Sequence, residues 1–301
     1  MQHRAVVWQG FAQRLKRSTS MLAIKVLILF VSAQTYQGAI LSNDYNPLPK
    51  FDVFAVSVCV ATQFTLMFII TNLETIGSMY AMAMWGWTSA QTVVNVGILQ
   101  AVNGAASVLV YTGFVVKLGD YVSNGRERIW TMIGLGLGFF YHVVTFPYPW
   151  GSTLKFTPAN QTSDNTSVGC DPDNYSWCIS VHEVNFWLYA VLYCTLLAAC
   201  FPIVNVSMNT LFSKILGARR QGTMQGIMLM SGSLARTLGP LLVSWLFQVY
   251  GPIPVWGLEM GTLGITLLLW IVLYRRLVPL QIPQLACGEY MEYAGGTKYR
   301  M

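Results

Sequence analysis

The sequence predicts an all-α, polytopic membrane protein built as one bundle of six transmembrane helices. Three observations lead there. Hydrophobic residues fill 54% of the 301 positions and charged residues only 10%, where a soluble domain carries about 25% charged residues. Six apolar runs approach or exceed the roughly 20 residues that a helix needs to cross a hydrocarbon core of about 30 Å. No series of alternating ten-residue segments suggests a β-barrel, so the runs satisfy their backbone polar groups as helices.

The first 50 residues precede that body. Arg4, Arg14, Lys16 and Arg17 lead into Met21 to Ser32, an apolar stretch broken by Lys25 and short for a span. The basic start, the short apolar centre and Val31-Ser32-Ala33 imitate a cleaved signal peptide. The preferred reading is an amphipathic or disordered cytosolic lead-in over residues 1–50, because cleavage would put the next segment on the side that the later charges oppose. Asn46 to Lys50, with Pro47 and Pro49, read as a turn into the first span. The six-helix body then runs over residues 51–276, with spans at about 53–84, 92–116, 129–146, 184–209, 224–249 and 255–274. Residues 147–183 form a long loop between the third and fourth spans, and residues 277–301 a cytosolic tail.

The net charge of +6 sorts by side rather than forming a nucleic-acid patch. Lys117, Arg126 and Arg128 lie between the second and third spans, Lys214, Arg219 and Arg220 between the fourth and fifth, and Arg275 with Arg276 after the sixth. The opposite loops hold only Lys155, beside Asp164, Asp171, Asp173 and Glu183. The positive-inside rule therefore expects both termini in the cytosol and loop 147–183 in the lumen.

That loop reads PYPWGSTLKFTPANQTSDNTSVGCDPDNYSWCISVHE. Asn160, Asn165 and Asn174 each begin a glycosylation sequon. Cys170 and Cys178 flank seven residues in the same oxidising compartment, which favours a disulfide over two free thiols. A zinc site is disfavoured, since only His182 is close by. Cys59, Cys194, Cys200 and Cys287 read as packing residues or cytosolic thiols.

Charged groups within hydrocarbon are costly and normally face a bundle interior or a water-filled cavity. Arg236, in SGSLARTLGP, lies about 21 Å along the fifth span from Gly222, near its middle. Glu74, in LETIGSMY, lies about 33 Å from Asp52, in the lumenal half of the first span. Two readings stand side by side: a Glu74–Arg236 ion pair that neutralises two expensive charges, or an anion-attracting Arg236 with a titrating or gating Glu74. Gln100 and Asn103 share a face of the second span, and Asn205 and Asn209 a face of the fourth. Such amides also serve as interhelical glue. Their concentration in the first, second, fourth and fifth spans marks these as cavity-lining and leaves the third and sixth peripheral. In those two, His142 is expected to hydrogen-bond within the bundle and Glu259 to snorkel toward the lumenal end.

No metalloprotease HExxH, nucleophile elbow, intramembrane aspartate pair or phosphate-cradling GxxxxGK[ST] occurs, so no enzyme, metal or cofactor is expected. The expected partners are a lipid membrane and a small-molecule or anionic substrate, with no nucleic acid.

RRQGTMQGIMLMSGSLARTLGPLLVSWLFQVYG resembles the eleventh helix of the major facilitator superfamily, and KLGDYVSNGRERI is similar to the second copy of its cytosolic loop motif, degenerate in spacing. Gly113, Asp120, Gly125, Arg126 and Arg128 are the residues assigned to that motif. More narrowly, LETIGSMYAMAMWGWTSAQ, the GC and WC pair and TLFSKILGARRQG resemble the lysosomal group of major facilitator domain-containing protein 8, linked to neuronal ceroid lipofuscinosis type 7. The resemblance covers about residues 47 to 280. It implies the C-terminal half of that fold, helices seven to twelve, with the four polar spans as cavity-lining helices. It also implies a lysosomal or other endomembrane setting and transport of a small solute or a chloride-like anion. Transporters of this kind hold substrate between two repeats. One bundle supplies half of such a site, so a second six-helix bundle is an expected partner. The alternative is a non-transporting interaction partner or truncated product that associates with full-length relatives.

Overall fold

The computed structural model describes residues 51–123, 125–149, 151–154, 169–170, 172, 175–217, 221–280, 290–293 and 296–299. The lead-in, Cys287 and the three sequon asparagines lie outside these residues. Residues 54–281 form one compact unit, and residues 1–53 with 282–301 a second. In the second, the expected tail carries an antiparallel hairpin, β1 (Tyr290–Tyr293) and β2 (Gly296–Tyr299), with Tyr290 opposite Tyr299.

The first unit is all helical in its long elements: α1 (Val53–Trp85), α2 (Ser89–Ser123), α3 (Glu127–Val144), α4 (Phe186–Leu216), α5 (Gly222–Tyr250) and α6 (Pro252–Val272). Each overlaps one of the six apolar runs. All but α3 are long and apolar enough to cross a membrane. Helix α3 has 18 residues, about 27 Å of helix, and Glu127, Arg128 and His142 dilute its hydropathy. Helix α4 is not uniform. Tyr193–Leu197 is a π turn, and Pro202 follows inside the helix.

Helices α3 and α4 approach closely because small residues leave room. A methyl added at Gly134 would meet the Val204 side chain at 2.5 Å, and one at Gly138 would meet Cys200 Sγ at 3.0 Å. Helix α1 packs on α5 in the same way, with Met67 over Gly232 and Asn72 over Gly239. A polar seam adds to this. Ser231 donates to the Val60 carbonyl at 3.1 Å, Trp270 Nε1 donates to Thr62 at 2.8 Å, and Thr65 and Thr266 hydroxyls meet at 2.8 Å. Sequence reading passed over these α1 polar residues, because a lone threonine in an apolar run carries no spacing signal.

At one end, the basic loops gather. Lys214 pairs with the buried Glu127, and Arg128 donates to the Tyr274 carbonyl at 3.0 Å while lying 4.7 Å over its ring. These contacts tie the start of α3 to the ends of α4 and α6. At the other end, the Cys170–Cys178 disulfide forms and presents Trp177 to the α5–α6 turn. Gly251 there has φ +79°, and Trp177 ring atoms lie 2.7 to 2.9 Å from where its Cβ would stand. Only glycine suits both the left-handed backbone and the ring. Tyr80 stacks on Trp256 at 4.5 Å, and Trp85 donates to the Val184 carbonyl at 2.8 Å, closing the same end around α1, α4 and α6.

Glu259 does not snorkel. Its side chain and that of His142 are both fully buried, with His142 Nε2 2.9 Å from Glu259 Oε2. A carboxylate one full turn and more into α6, with a polar partner facing it from α3, has no reason to stretch toward water.

Candidate functional site

The polar residues singled out from sequence fall into three local groups. Arg236 is exposed midway along α5, and its guanidinium lies 3.1 Å from Met67 Sδ of α1. Among the described residues it has no acidic partner, so its charge is held against a polarizable sulfur and otherwise open. Glu74 is exposed on α1, one heptad beyond Met67. Seven residues correspond to about 10 Å of helix rise, and the two charges form no ion pair with each other. The neutralising-pair reading is thereby corrected: the charges sit on adjacent helices at different depths.

Glu74 instead lies within electrostatic reach of Tyr193, the first residue of the π turn in α4. Gln100 of α2 lines a small recess with Tyr189, Tyr193, Leu73 and Gly77, so α1, α2 and α4 meet around Gln100 and Tyr193. Asn103 lies one turn further along α2, half-buried, with an Oδ1 that is buried and unpartnered.

Asn205 and Asn209 meet each other: the Asn209 amide donates to the Asn205 side chain and to its carbonyl. Asn205 also lines an open groove of about 270 Å³ with Ser107, Val108, Tyr111, Phe201 and Pro202, between α2 and α4. Sequence reasoning missed Ser107 and Tyr111, whose contribution depends on how α2 faces α4. The Ser107 hydroxyl donates to the Ala198 carbonyl at 3.1 Å, the acceptor that Pro202, lacking an N–H, leaves without its helical donor.

Of the loop-motif residues, Gly113 lies within α2, Gly125 turns the chain at φ +84°, and Arg126 and Arg128 flank the start of α3. Asp120 lies in the last turns of α2, and its side chain is outside the described residues. Among the described residues no cluster of His, Cys, Asp or Glu is grouped to hold a metal ion. Cys59 and Cys200 are buried and Cys194 is half-buried.

The arrangement presents a cation, a carboxylate and amides on helix surfaces otherwise dressed with apolar groups such as Leu229, Leu234 and Leu241.

No family model and no solved structure matches the chain. Over 239 residues it is 31% identical to the major facilitator superfamily domain-containing protein 8 of Xenopus laevis, an alignment covering 72% of this chain and 45% of that protein. The chain thus spans about half the length of the curated relative it matches. With its all-α polytopic bundle of six helices, the protein is a relative of the major facilitator superfamily, the size of one half of that fold.

Proposed function

We propose that this bundle is the C-terminal half of a transporter, moving a small solute or a chloride-like anion across a lysosomal or other endomembrane. The observation that carries the reading is Arg236: an exposed guanidinium near the middle of a membrane-length helix, with no carboxylate beside it among the described residues. A cation at that depth is costly unless it faces an aqueous or protein-lined cavity, and its charge selects anions there. Glu74, within electrostatic reach of Tyr193, serves as a coupling or gating carboxylate. Asn103, Asn205 and Asn209 supply neutral hydrogen-bonding groups along the same route. The exposed faces of α1, α2 and α5 are then walls that a second six-helix bundle completes, since transporters of this kind bind substrate between repeats.

The topology follows from the charge sorting: both termini in the cytosol, and the disulfide-bearing loop in the lumen with glycans on Asn160, Asn165 and Asn174. The bundle has no enzymatic role in this scheme.

The test is anion efflux from vesicles containing the full chain, read with a chloride-sensitive dye, with crosslinking to report assembly. Paired bundles and a flux that falls on the order of tenfold in Arg236→Ala, about 1.4 kcal/mol of lost stabilisation, are expected. Flux unchanged by that substitution would sink the anion role. Capture of a full-length relative without any flux would favour an association module instead.

A further inference from the structure

The chain beyond α6 is docked on the bundle, and it carries two arginines that the solute route above does not use. Leu277 is fully buried. Leu280 donates its backbone N–H to the Lys214 carbonyl at 3.1 Å, and its side chain covers Gly217, where an added Cβ would stand 2.8 Å from Leu280 Cδ2. These contacts anchor the turn after Val272, so Arg275 and Arg276 stand on a fixed backbone while both remain exposed. Arg128, at the start of α3, reaches the same turn by donating to the Tyr274 carbonyl at 3.0 Å.

Two of these three guanidiniums lie over aromatic rings. Arg128 Cζ stands 4.7 Å from the centre of the Tyr274 ring, and Arg276 Cζ 5.1 Å from that of Phe54. A ring fixes the plane of a guanidinium from one face and leaves the N–H groups along its edge for oxygen acceptors, in the forked geometry that phosphate matches. Among the described residues none of the three has an acidic partner. The acid at this end, Glu127, is paired with Lys214, so an excess of positive charge remains. Further into the two helices the exposed side chains are apolar: Ile129 and Ile133 on α3, Leu268 and Val272 on α6. The helices are in contact there, since a Cβ at Gly264 would lie 3.5 Å from the Phe139 ring.

We propose that Arg128, Arg275 and Arg276 form a headgroup site for a phosphoinositide, a phospholipid whose inositol ring carries phosphate monoesters. The monoesters sit against the guanidinium edges, and the acyl chains lie along the apolar side chains of α3 and α6. The charge balance favours monoesters. A phosphodiester alone brings one negative charge to three fixed cations, whereas each monoester brings about 1.5 to 2 at neutral pH and three acceptor oxygens. Basic pockets between membrane helices on the cytoplasmic side hold such headgroups. The lipid then bridges the start of α3 to the turn after α6. The site rests on the cytosolic placement of this end only for the leaflet that supplies the lipid, and it requires no anion flux.

The test uses the full chain in phosphatidylcholine vesicles that carry, in both leaflets, a photoactivatable phosphatidylinositol bisphosphate. Crosslinking to the segment holding Arg275 and Arg276 is expected. Unlabelled phosphatidylinositol bisphosphate should displace the probe, and phosphatidylglycerol at equal surface charge should not. Half-saturation should need on the order of tenfold more lipid in the double variant Arg275→Gln with Arg276→Gln. Both side chains are exposed, so that variant should keep the wild-type unfolding midpoint. Equal occupancy in wild type and variant overturns the proposal, as does equal displacement by phosphatidylglycerol, which would mean diffuse attraction to any anionic membrane. A second measurement needs no substitution: competition by soluble inositol trisphosphate in the wild type. Displacement as effective as that by the lipid would assign the site to a free phosphate and overturn the lipid. Chloride efflux from the same vesicles separates the two ideas. Lipid binding without flux leaves this site standing and removes the transport reading, whereas flux without lipid binding does the reverse.

Discussion

Arg236 and Gly251 illustrate opposite uses of a single residue. Arg236 is exposed and its guanidinium lies against Met67 Sδ, so Arg236→Ala should leave thermal unfolding in detergent within about 0.5 kcal/mol of wild type. A large loss of stability would mean that the guanidinium is a structural strut. Gly251 is the reverse case. Its left-handed φ and the Trp177 ring against it predict that Gly251→Ala costs roughly 1 to 3 kcal/mol. Unfolding midpoints measured alongside Trp177→Ala would check this, because removing the ring should relieve the steric part and leave the backbone part.

At the scale of an element, α4 is the irregular helix. Its π turn at Tyr193–Leu197 rotates the residues before it relative to those after, placing Tyr193 near Glu74 while Asn205 faces the groove. Such turns are frequent at functional sites. Pro202 removes a helical hydrogen bond, and Ser107 of α2 supplies the substitute at Ala198. Ser107→Ala should therefore destabilise by about 1 kcal/mol, and by less in a Pro202→Ala background, where the helix restores its own donor. A double-mutant cycle in detergent measures that coupling; equal effects in both backgrounds would show that the serine bond does not answer to the proline. The runs themselves were legible because burial in lipid demands long apolar stretches. The π turn was not, since nothing in YCTLL departs from an ordinary helical pattern.

For the whole molecule, the disulfide end and the basic end close the bundle differently. Cys170–Cys178 closes a short loop that seats Trp177 on the α5–α6 turn. Replacing both cysteines by serine should cost about 2 kcal/mol by loop-closure entropy, read as a lower unfolding midpoint that reducing agent reproduces in the wild type. Glycan removal from the protein expressed in a secretory membrane should shift its electrophoretic mobility through the sites in loop 147–183; an unshifted band would contradict the lumenal placement. The spacing of the cysteines was enough to anticipate their pairing. The seating of Trp177 was not, because its partner Gly251 lies more than seventy positions away.

The sequence by itself determined the class of molecule, the number of long helices and the pairing of the loop cysteines. Hydropathy and charge placement act through the bilayer on each segment separately, so they can be read one segment at a time. It also singled out some of the intramembrane polar residues, among them Arg236, Glu74, Asn205 and Asn209. Only the tertiary structure decided which of them meet. It separated Glu74 from Arg236, joined Glu74 to the neighbourhood of Tyr193, and buried Glu259 against His142. Those outcomes depend on the rotation and offset of one helix against another. Such offsets are set by small-residue contacts such as Gly134 with Val204 and Gly239 with Asn72, and these pair positions far apart in the chain that no local pattern connects.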